Sequence, residues 1–174
     1  MQDELTWLTE RLVEEGQKTV AFFVELPDQA WEQQVYTSGS GWKVGQILGH
    51  FVSAERAYAH YLQDVLRGGV GVPSDFDIDE FNESETPSFV DVLPTALLDE
   101  YRTARQELIR IANSLSPNDL DRRGRHPWFG DVDVRFMLKL AYRHQMLHVR
   151  DIRRALASGE PLPAQADASS APAP

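Results

Sequence analysis

The sequence AYRHQMLHVRDIRRAL, residues 141–156, decides the fold because its apolar residues recur at intervals of three and four, as on one face of a helix. His144 and His148 lie four residues apart in it, and positions at that spacing project from nearly the same side. Both fall on the inward stripe, where an imidazole needs a partner for each ring nitrogen. The pair predicts a metal site; core or surface histidines bonded to carbonyls and water are the alternative.

A third histidine, His50, lies in a second helical stretch, GWKVGQILGHFVSAERAYAHYL, residues 41–62. Its spacing from neighbouring apolar residues puts it at the border of the buried face of that helix, where it can face the later pair. Gly45 and Gly49 each cost about 1 kcal/mol relative to alanine inside a helix, which a close helix approach would explain. We therefore predict that His50 joins the later pair around one divalent ion.

Apolar spacing predicts four helices separated by turn signals. They run from about Glu4 to Glu25, from about Trp42 to Gly68, from about Pro94 to Ser116, and from Asp131 or Asp133 to Gly159. Alternating segments are too short to require strands, so the predicted fold class is all-α, a four-helix bundle. A long connection, roughly residues 70–93, joins helices two and three and is expected to hold a lid, a site or a short extra helix.

Composition fits one domain with its own core. The 174 residues are 42% hydrophobic, and we predict a bundle over residues 1–159 followed by a disordered tail rich in proline, alanine and serine over 160–174. Cysteine is absent, which excludes disulfides, thiolate zinc sites and cysteine nucleophiles. No basic leader or long apolar run is present, so we expect a soluble, cytoplasmic protein with no membrane partner.

The net charge of −10 argues against a nucleic-acid partner, because the field of the chain repels phosphate backbones. Within the acidic segment 75–85, the sequence DFDIDE at 75–80 imitates the start of an EF-hand loop, but Glu80 takes the required glycine position and Thr86 the position of the bidentate glutamate. This segment is expected to be solvated, although Phe76, Ile78 and Phe81 could dock onto the bundle mouth or a second subunit. The motifs HExxH, ExxH, GxSxG and GxGxxG are missing.

Several other residues are candidates for supporting roles. Asp151 could accept a ring N–H from a ligand histidine, or instead form a solvent-facing ion pair with an arginine. Tyr58 could donate into the cavity and Glu55 could accept a proton if a bend brings it near, or both could be ordinary helix residues. His126 could approach the open side of the metal, or lie in a surface loop. His60 is about 80° around the helix from His50 and is assigned to the surface.

The order and spacing of these stretches resemble the DinB-like (YfiT-like) superfamily over about residues 1–158. The resemblance rests on an amphipathic first helix, the LPDQAW turn at 26–31, GWKVGQILGHFVSAER at 41–56, and HPWFGDVDVRFML at 126–138 ahead of HQMLH. It implies a four-helix bundle whose metal ligands map onto His50, His144 and His148. It also implies a relationship to transferases and isomerases that use bacillithiol, mycothiol or glutathione.

Three neutral nitrogen ligands leave coordination positions open, as in catalytic zinc sites. We therefore expect zinc or nickel, and transfer or hydrolysis of a small-molecule substrate, with a low-molecular-weight thiol as the cofactor that the resemblance implies. The alternatives are a non-catalytic bundle that binds metal or senses a ligand, and a structural bundle with core histidines. A homodimer is expected, because exposed apolar faces often mark partner surfaces.

Overall fold

A computed structural model describes residues 2–37, 41–89 and 92–163. Within these residues the chain forms five α-helices and one β-hairpin. They are α1 (Gln2–Val24), α2 (Val44–Leu66), α3 (Ile78–Glu85), α4 (Pro94–Ser114), β1 (Arg123–His126), β2 (Gly130–Asp133) and α5 (Val134–Ser158). Short 3-10 helices occupy Asp28–Glu32, Thr86–Phe89 and Pro117–Asp121. The helices α1, α2, α4 and α5 form a four-helix bundle, which confirms the predicted fold class.

Each bundle helix packs against two neighbours: α1 and α2 both contact α4 and α5. Two apolar clusters fill the interior, and each takes side chains from all four helices. One includes Phe23, Phe51, Tyr101 and Ile152, and the other includes Leu8, Leu62, Leu108 and Leu138. Between them lie the buried polar residues Glu55, Arg105 and Gln145, so a polar layer crosses the middle of the bundle.

The ends of α5 follow from its sequence. Asp133 caps its first turn, since the Asp133 Oδ1 atom accepts a hydrogen bond from the Phe136 backbone N–H at 2.7 Å. Gly159 ends the helix in the left-handed conformation, with φ of 73°. Both ends of the helix were predicted, and the structure selects Asp133 rather than Asp131. They fix the register of the helix that carries two of the three candidate ligands.

The long connection holds α3 and the 3-10 helix that follows it, as its length predicted. The close approach expected near the helix-two glycines occurs at Gly49, where an added Cβ would lie 2.5 Å from the Phe89 Cβ atom. The sequence had suggested that another bundle helix would approach here. The neighbour is instead Phe89, which belongs to this connection. Glycine at this position lets the connection press against α2 next to His50.

The hairpin β1–β2 was not predicted, because four-residue strands are too short to register as an alternating pattern. Its strands pair antiparallel, from Arg123 opposite Asp133 to His126 opposite Gly130. Gly130 has φ of 65°, a conformation that favours glycine after the turn. The hairpin carries His126 and Trp128 against α2.

The chain after α5 returns to the bundle. The Leu162 N–H donates to the Val35 carbonyl and the Thr37 N–H donates to the Leu162 carbonyl, both at 2.8 Å. The predicted disordered tail therefore does not begin at residue 160, because backbone pairing extends through Leu162; its remainder, 164–174, lies outside the described residues. Across the described chain, helices long and apolar enough to cross a bilayer are absent.

Candidate metal centre

Three histidines from two helices converge inside the bundle, and we call them the histidine cluster: His50 on α2 with His144 and His148 on α5. The His144 Nε2 atom lies 3.0 Å from the His50 Nε2 atom and 3.1 Å from the His148 Nε2 atom. His50 is buried, and the other two are partly buried. The structure thus brings together all three residues that the sequence proposed as ligands.

Hydrogen bonds within the protein leave the histidine cluster incompletely satisfied. A neutral imidazole has one N–H and one lone pair, so the single His144 Nε2 atom cannot form good hydrogen bonds to both neighbouring rings. The Nδ1 atoms of His50 and His144 are buried and lack a hydrogen-bond partner among the described residues. One cation that accepts all three Nε2 lone pairs would replace these poor contacts.

The distances also fit such an ion. Two nitrogen ligands about 2.1 Å from a tetrahedral zinc ion lie about 3.4 Å apart, a few tenths of an ångström more than the contacts observed here. All three ligand nitrogens lie within 4.8 Å of one another. Small outward movements of the rings would therefore suffice to bind a metal.

Electrostatics keep the cluster neutral, as metal ligation requires. Burial, together with the nearby His50 ring, lowers the pKa of His148 to about 3. Burial also lowers the pKa of His144, with contributions from His148, His126 and Arg105. Burial and His144 lower the pKa of His50, whereas the Asn82 side chain opposes that shift. At neutral pH all three rings are uncharged and can present a lone pair.

Tyr36 links the cluster to a carboxylate. Its hydroxyl lies 2.7 Å from the His148 Nδ1 atom and 3.4 Å from the Asp151 Oδ2 atom. With Nε2 facing an ion, the His148 Nδ1–H would donate to the tyrosine oxygen, whose own hydrogen would point to Asp151. Asp151 is buried and also pairs with Arg150 at 3.3 Å. Its position therefore combines features of both alternatives, a carboxylate that supports a ligand histidine and a carboxylate paired with an arginine.

A pocket opens beside the cluster. Its lining residues come from α2, the α3 segment, the hairpin and α5: His50, Ala54, Ala57, Tyr58, Tyr61, Phe76, Ile78, Phe81, Asn82, His126, Pro127, Trp128 and His144. The apolar residues of the acidic connection thus dock at the bundle mouth, one of the two positions expected for them. His50 and His144 lie at the pocket, whereas Tyr36 contacts the third ligand, His148, which is not among the lining residues.

His126 is buried on β1 and lines this pocket, so the surface-loop alternative was wrong. The Trp128 backbone N–H donates to its Nδ1 atom at 3.2 Å. Its Nε2 atom lies 3.2 Å from the hydroxyl oxygen of Tyr58, which also lines the pocket. Burial lowers the pKa of His126 to about 4, and burial raises the pKa of Tyr58. Both groups are therefore neutral at pH 7.

Glu55 lies in what we call the ion-pair network, formed with Arg105 and Gln145. The Arg105 Nη2 atom donates to the Glu55 Oε1 atom at 2.8 Å and to the Gln145 Oε1 atom at 2.6 Å. The Gln145 Nε2 atom also donates to Glu55 Oε1. Burial raises the pKa of Glu55, and Arg105 opposes that shift. Glu55 is not among the pocket-lining residues; it holds the turn of α5 next to His144.

Sequence reasoning missed Tyr36, Trp42 and Arg105. Arg105 had a usable signal, because it falls four residues after Tyr101 on the apolar stripe of α4. Tyr36 and Trp42 gave none, since both precede α2 in irregular chain. The Trp42 ring packs 4.5 Å from the His50 ring and closes that side of the cluster. His60 is exposed, as predicted.

Together, fold and site define a four-helix bundle with a candidate three-histidine metal centre. The sequence profile of the DinB superfamily matches residues 11–152, and the chain belongs to that superfamily. Among curated proteins, none matches the chain significantly in sequence.

Solved structures share the fold at low sequence identity. A mycothiol-dependent maleylpyruvate isomerase superposes with a TM-score of 0.71 at 12% identity, over 85% of this chain and 60% of the isomerase. Uncharacterised proteins from Escherichia coli UTI89 and Clostridium difficile 630 give TM-scores of 0.70 and 0.68 at 12% and 15% identity. The match covers 91% of this chain and 96% of the E. coli protein, and 86% and 94% for the C. difficile protein. The present chain thus spans about 60% of the length of the isomerase.

Proposed function

We propose that this chain is a metal-dependent enzyme that transfers or isomerises a small molecule with the help of a low-molecular-weight thiol. The observation that carries the proposal is the convergence of three neutral imidazole nitrogens beside an open pocket. Buried histidines that served only the fold would be expected to have partners for their ring nitrogens. Here the His144 Nε2 atom faces the Nε2 atoms of His50 and His148, at 3.0 and 3.1 Å, and can form a good hydrogen bond to only one of them.

In this proposal His50, His144 and His148 hold a divalent ion, zinc or nickel. Tyr36 and Asp151 orient the His148 ring and select its tautomer. When bound, the ion would lower the pKa of a thiol or a water toward neutrality and polarise a carbonyl oxygen. The pocket then holds the second reactant next to His50 and His144, with Tyr58 and His126 on its wall.

Two considerations favour a thiol reaction over hydrolysis. The structural relative named above is described as mycothiol-dependent, which makes a thiol co-substrate the first class to test. The pocket is also lined mainly by aromatic and aliphatic side chains, which exclude water rather than supply it. A non-catalytic metal-binding or ligand-sensing bundle is the alternative, and the measured turnover decides between them.

The test has a binding arm and an activity arm. Purified protein is expected to hold one zinc or nickel ion per chain, His144→Ala should hold none, and the exposed control His60→Ala should match the wild type. Turnover of electrophilic test substrates with mycothiol, bacillithiol or glutathione should be saturable and abolished by a chelator. Equal metal content in wild type and His144→Ala would remove the site, whereas metal binding without thiol-dependent turnover would leave the non-catalytic alternative.

Dimerisation and a cytoplasmic location stay predictions from the sequence. Trp7 on α1 and Met146 and Leu147 on α5 are large apolar side chains that remain exposed on the chain. Sedimentation velocity tests the dimer directly, and a single monomeric species would contradict it.

A further inference from the structure

The pocket beside the histidine cluster has a chemical character that restricts its substrate. Besides the candidate ligands His50 and His144, six aromatic side chains line it: Tyr58, Tyr61, Phe76, Phe81, His126 and Trp128. Lysine and arginine are absent from its lining, and the residues outside the structural description contain neither residue type. Cationic side chains that could form an ion pair with a substrate carboxylate or phosphate are therefore missing from the walls.

The approach to the pocket is negatively charged. Residues 75–85, which supply Phe76, Ile78, Phe81 and Asn82 to the wall, contain six aspartates and glutamates and no basic residue. The carboxylates of Asp79, Glu80 and Glu83 are exposed on α3. An anionic substrate would be repelled as it enters and would find no cationic side chain inside.

The Tyr58 hydroxyl is a hydrogen-bond donor on the wall whose direction is set by His126. The Trp128 backbone N–H donates to the Nδ1 atom of His126, so the neutral His126 ring must carry its hydrogen on Nε2. That Nε2–H then donates to the Tyr58 hydroxyl oxygen, 3.2 Å away. The hydroxyl hydrogen of Tyr58 has no acceptor among the hydrogen bonds of the described residues and can point into the pocket.

We propose that the pocket binds an uncharged, aromatic or similarly apolar molecule with one hydrogen-bond acceptor, such as a ketone or aldehyde oxygen, to which the Tyr58 hydroxyl donates. This substrate class belongs to the same site and therefore rests on the proposed function. His126 is a positioning residue in this arrangement: it sets the direction in which the Tyr58 hydroxyl donates. Selectivity for uncharged molecules comes from the absence of cationic side chains on the wall. Selectivity for a hydrogen-bond acceptor comes from the Tyr58 hydroxyl.

Three matched probes test the proposal by NMR titration of the protein with and without zinc. Acetophenone is neutral with an acceptor, ethylbenzene lacks the acceptor, and 4-acetylbenzoate adds a carboxylate. Wild type should bind acetophenone about 5-fold more tightly than ethylbenzene, the value of one neutral hydrogen bond. Without zinc it should bind 4-acetylbenzoate at least about 10-fold more weakly than acetophenone, because the carboxylate would then be buried without a cation.

The variant Tyr58→Phe should weaken acetophenone about 5-fold and leave ethylbenzene unchanged, whereas a purely structural role would weaken both. Tyr142→Phe, a buried tyrosine outside the pocket, should leave both affinities as in wild type. Binding of 4-acetylbenzoate as tight as acetophenone in the absence of zinc, no binding of acetophenone, or equal losses for both neutral probes in Tyr58→Phe would overturn the proposal.

Zinc content measured on the same samples separates the two claims. If zinc binds through the histidines and acetophenone does not bind, the substrate class fails and the metal site stands. If acetophenone binds with the expected selectivity and zinc content does not depend on His144, the metal-dependent function fails instead.

Discussion

The ion-pair network and the histidine cluster both place polar side chains from α2 and α5 inside the bundle, but they satisfy those side chains differently. In the network, Glu55, Arg105 and Gln145 have complementary charges and donors, and they bond to one another at 2.8 Å or less. The histidine cluster consists of three groups of one kind that compete for the same contacts. The network pairs donors with acceptors, although the Glu55 Oε2 and Arg105 Nε atoms lack partners among the described residues, whereas the cluster brings three like nitrogens face to face.

This difference separates a structural role from a functional one. The network, with one residue each from α2, α4 and α5, fixes how those three helices meet. Histidines whose Nε2 atoms crowd together beside a pocket weaken the fold unless a ligand binds those atoms. Because Gln145 follows His144 directly, the network also holds the position from which the cluster is presented.

The largest loss of stability is expected when one partner of the buried ion pair is removed. Arg105→Met should lower the free energy of unfolding by about 3–5 kcal/mol, because it leaves the Glu55 carboxylate buried without a cation. Urea unfolding measures this change. Zinc stoichiometry should be retained in the folded fraction of the variant, since none of the three candidate ligands is altered.

The control for that experiment replaces both partners. The double variant Glu55→Leu with Arg105→Met should recover most of the lost stability, because no unpaired charge remains. On the exposed face of α4, Arg102→Met should change stability by less than about 1 kcal/mol. If the single and double variants are equally unstable, packing volume rather than charge pairing explains the role of Arg105.

The second expected effect is a pH dependence of the free energy of unfolding, caused by His126 at the pocket. His126 has a pKa of about 4 when folded and an ordinary value of 6.5, so between these values the unfolded chain binds a proton that the folded chain does not. The free energy of unfolding should therefore fall as the pH falls from 6.5 to 4, by about 3 kcal/mol for this residue. Glu55, whose pKa is raised, contributes with the opposite sign: it disfavours folding as the pH rises above its ordinary value.

Metal-free wild type and His126→Gln, compared by urea unfolding at pH 7 and pH 4, measure the His126 contribution. On acidification, the free energy of unfolding of His126→Gln should fall by about 3 kcal/mol less than that of the wild type. The control His60→Gln should behave like the wild type. Parallel pH profiles for wild type and His126→Gln would show that the buried position of His126 is wrong.

A smaller effect is expected from the group that joins the cluster to Asp151. Tyr36→Phe removes the hydroxyl between the His148 Nδ1 atom and that carboxylate, and zinc affinity should fall about 10- to 100-fold. Competition with a chromophoric chelator measures the affinity, with Tyr142→Phe as the matched control. Unchanged affinity in Tyr36→Phe would mean that the tyrosine packs against the cluster without orienting it.

The sequence predicted those parts of the molecule that have a long regular period. All four bundle helices were placed within about two residues at most ends, because apolar stripes of more than twenty residues repeat several times. The hairpin and the exact extent of α3 were beyond this method, since four to eight residues give one or two repeats. Leu162 pairs with strand-like chain before α2, a contact that depends on three-dimensional proximity alone.

For the candidate site the same limit applies. His50, His144 and His148 could be proposed because helical spacing restricts the direction of each side chain. Tyr36 could not, because it lies in irregular chain 112 residues before its partner His148. For His126 the sequence left both a position near the metal and a surface loop open, because its burial results from the hairpin, which the periodicity did not reveal.

The most direct test of the central claim is X-ray absorption at the zinc edge of zinc-loaded wild type and His144→Ala. We predict three imidazole nitrogens at about 2.0–2.1 Å in the wild type and a loss of imidazole scattering, or of bound zinc altogether, in the variant. A shell without imidazole in the wild type, or the same imidazole signal in both proteins, would contradict a metal centre built from the histidine cluster.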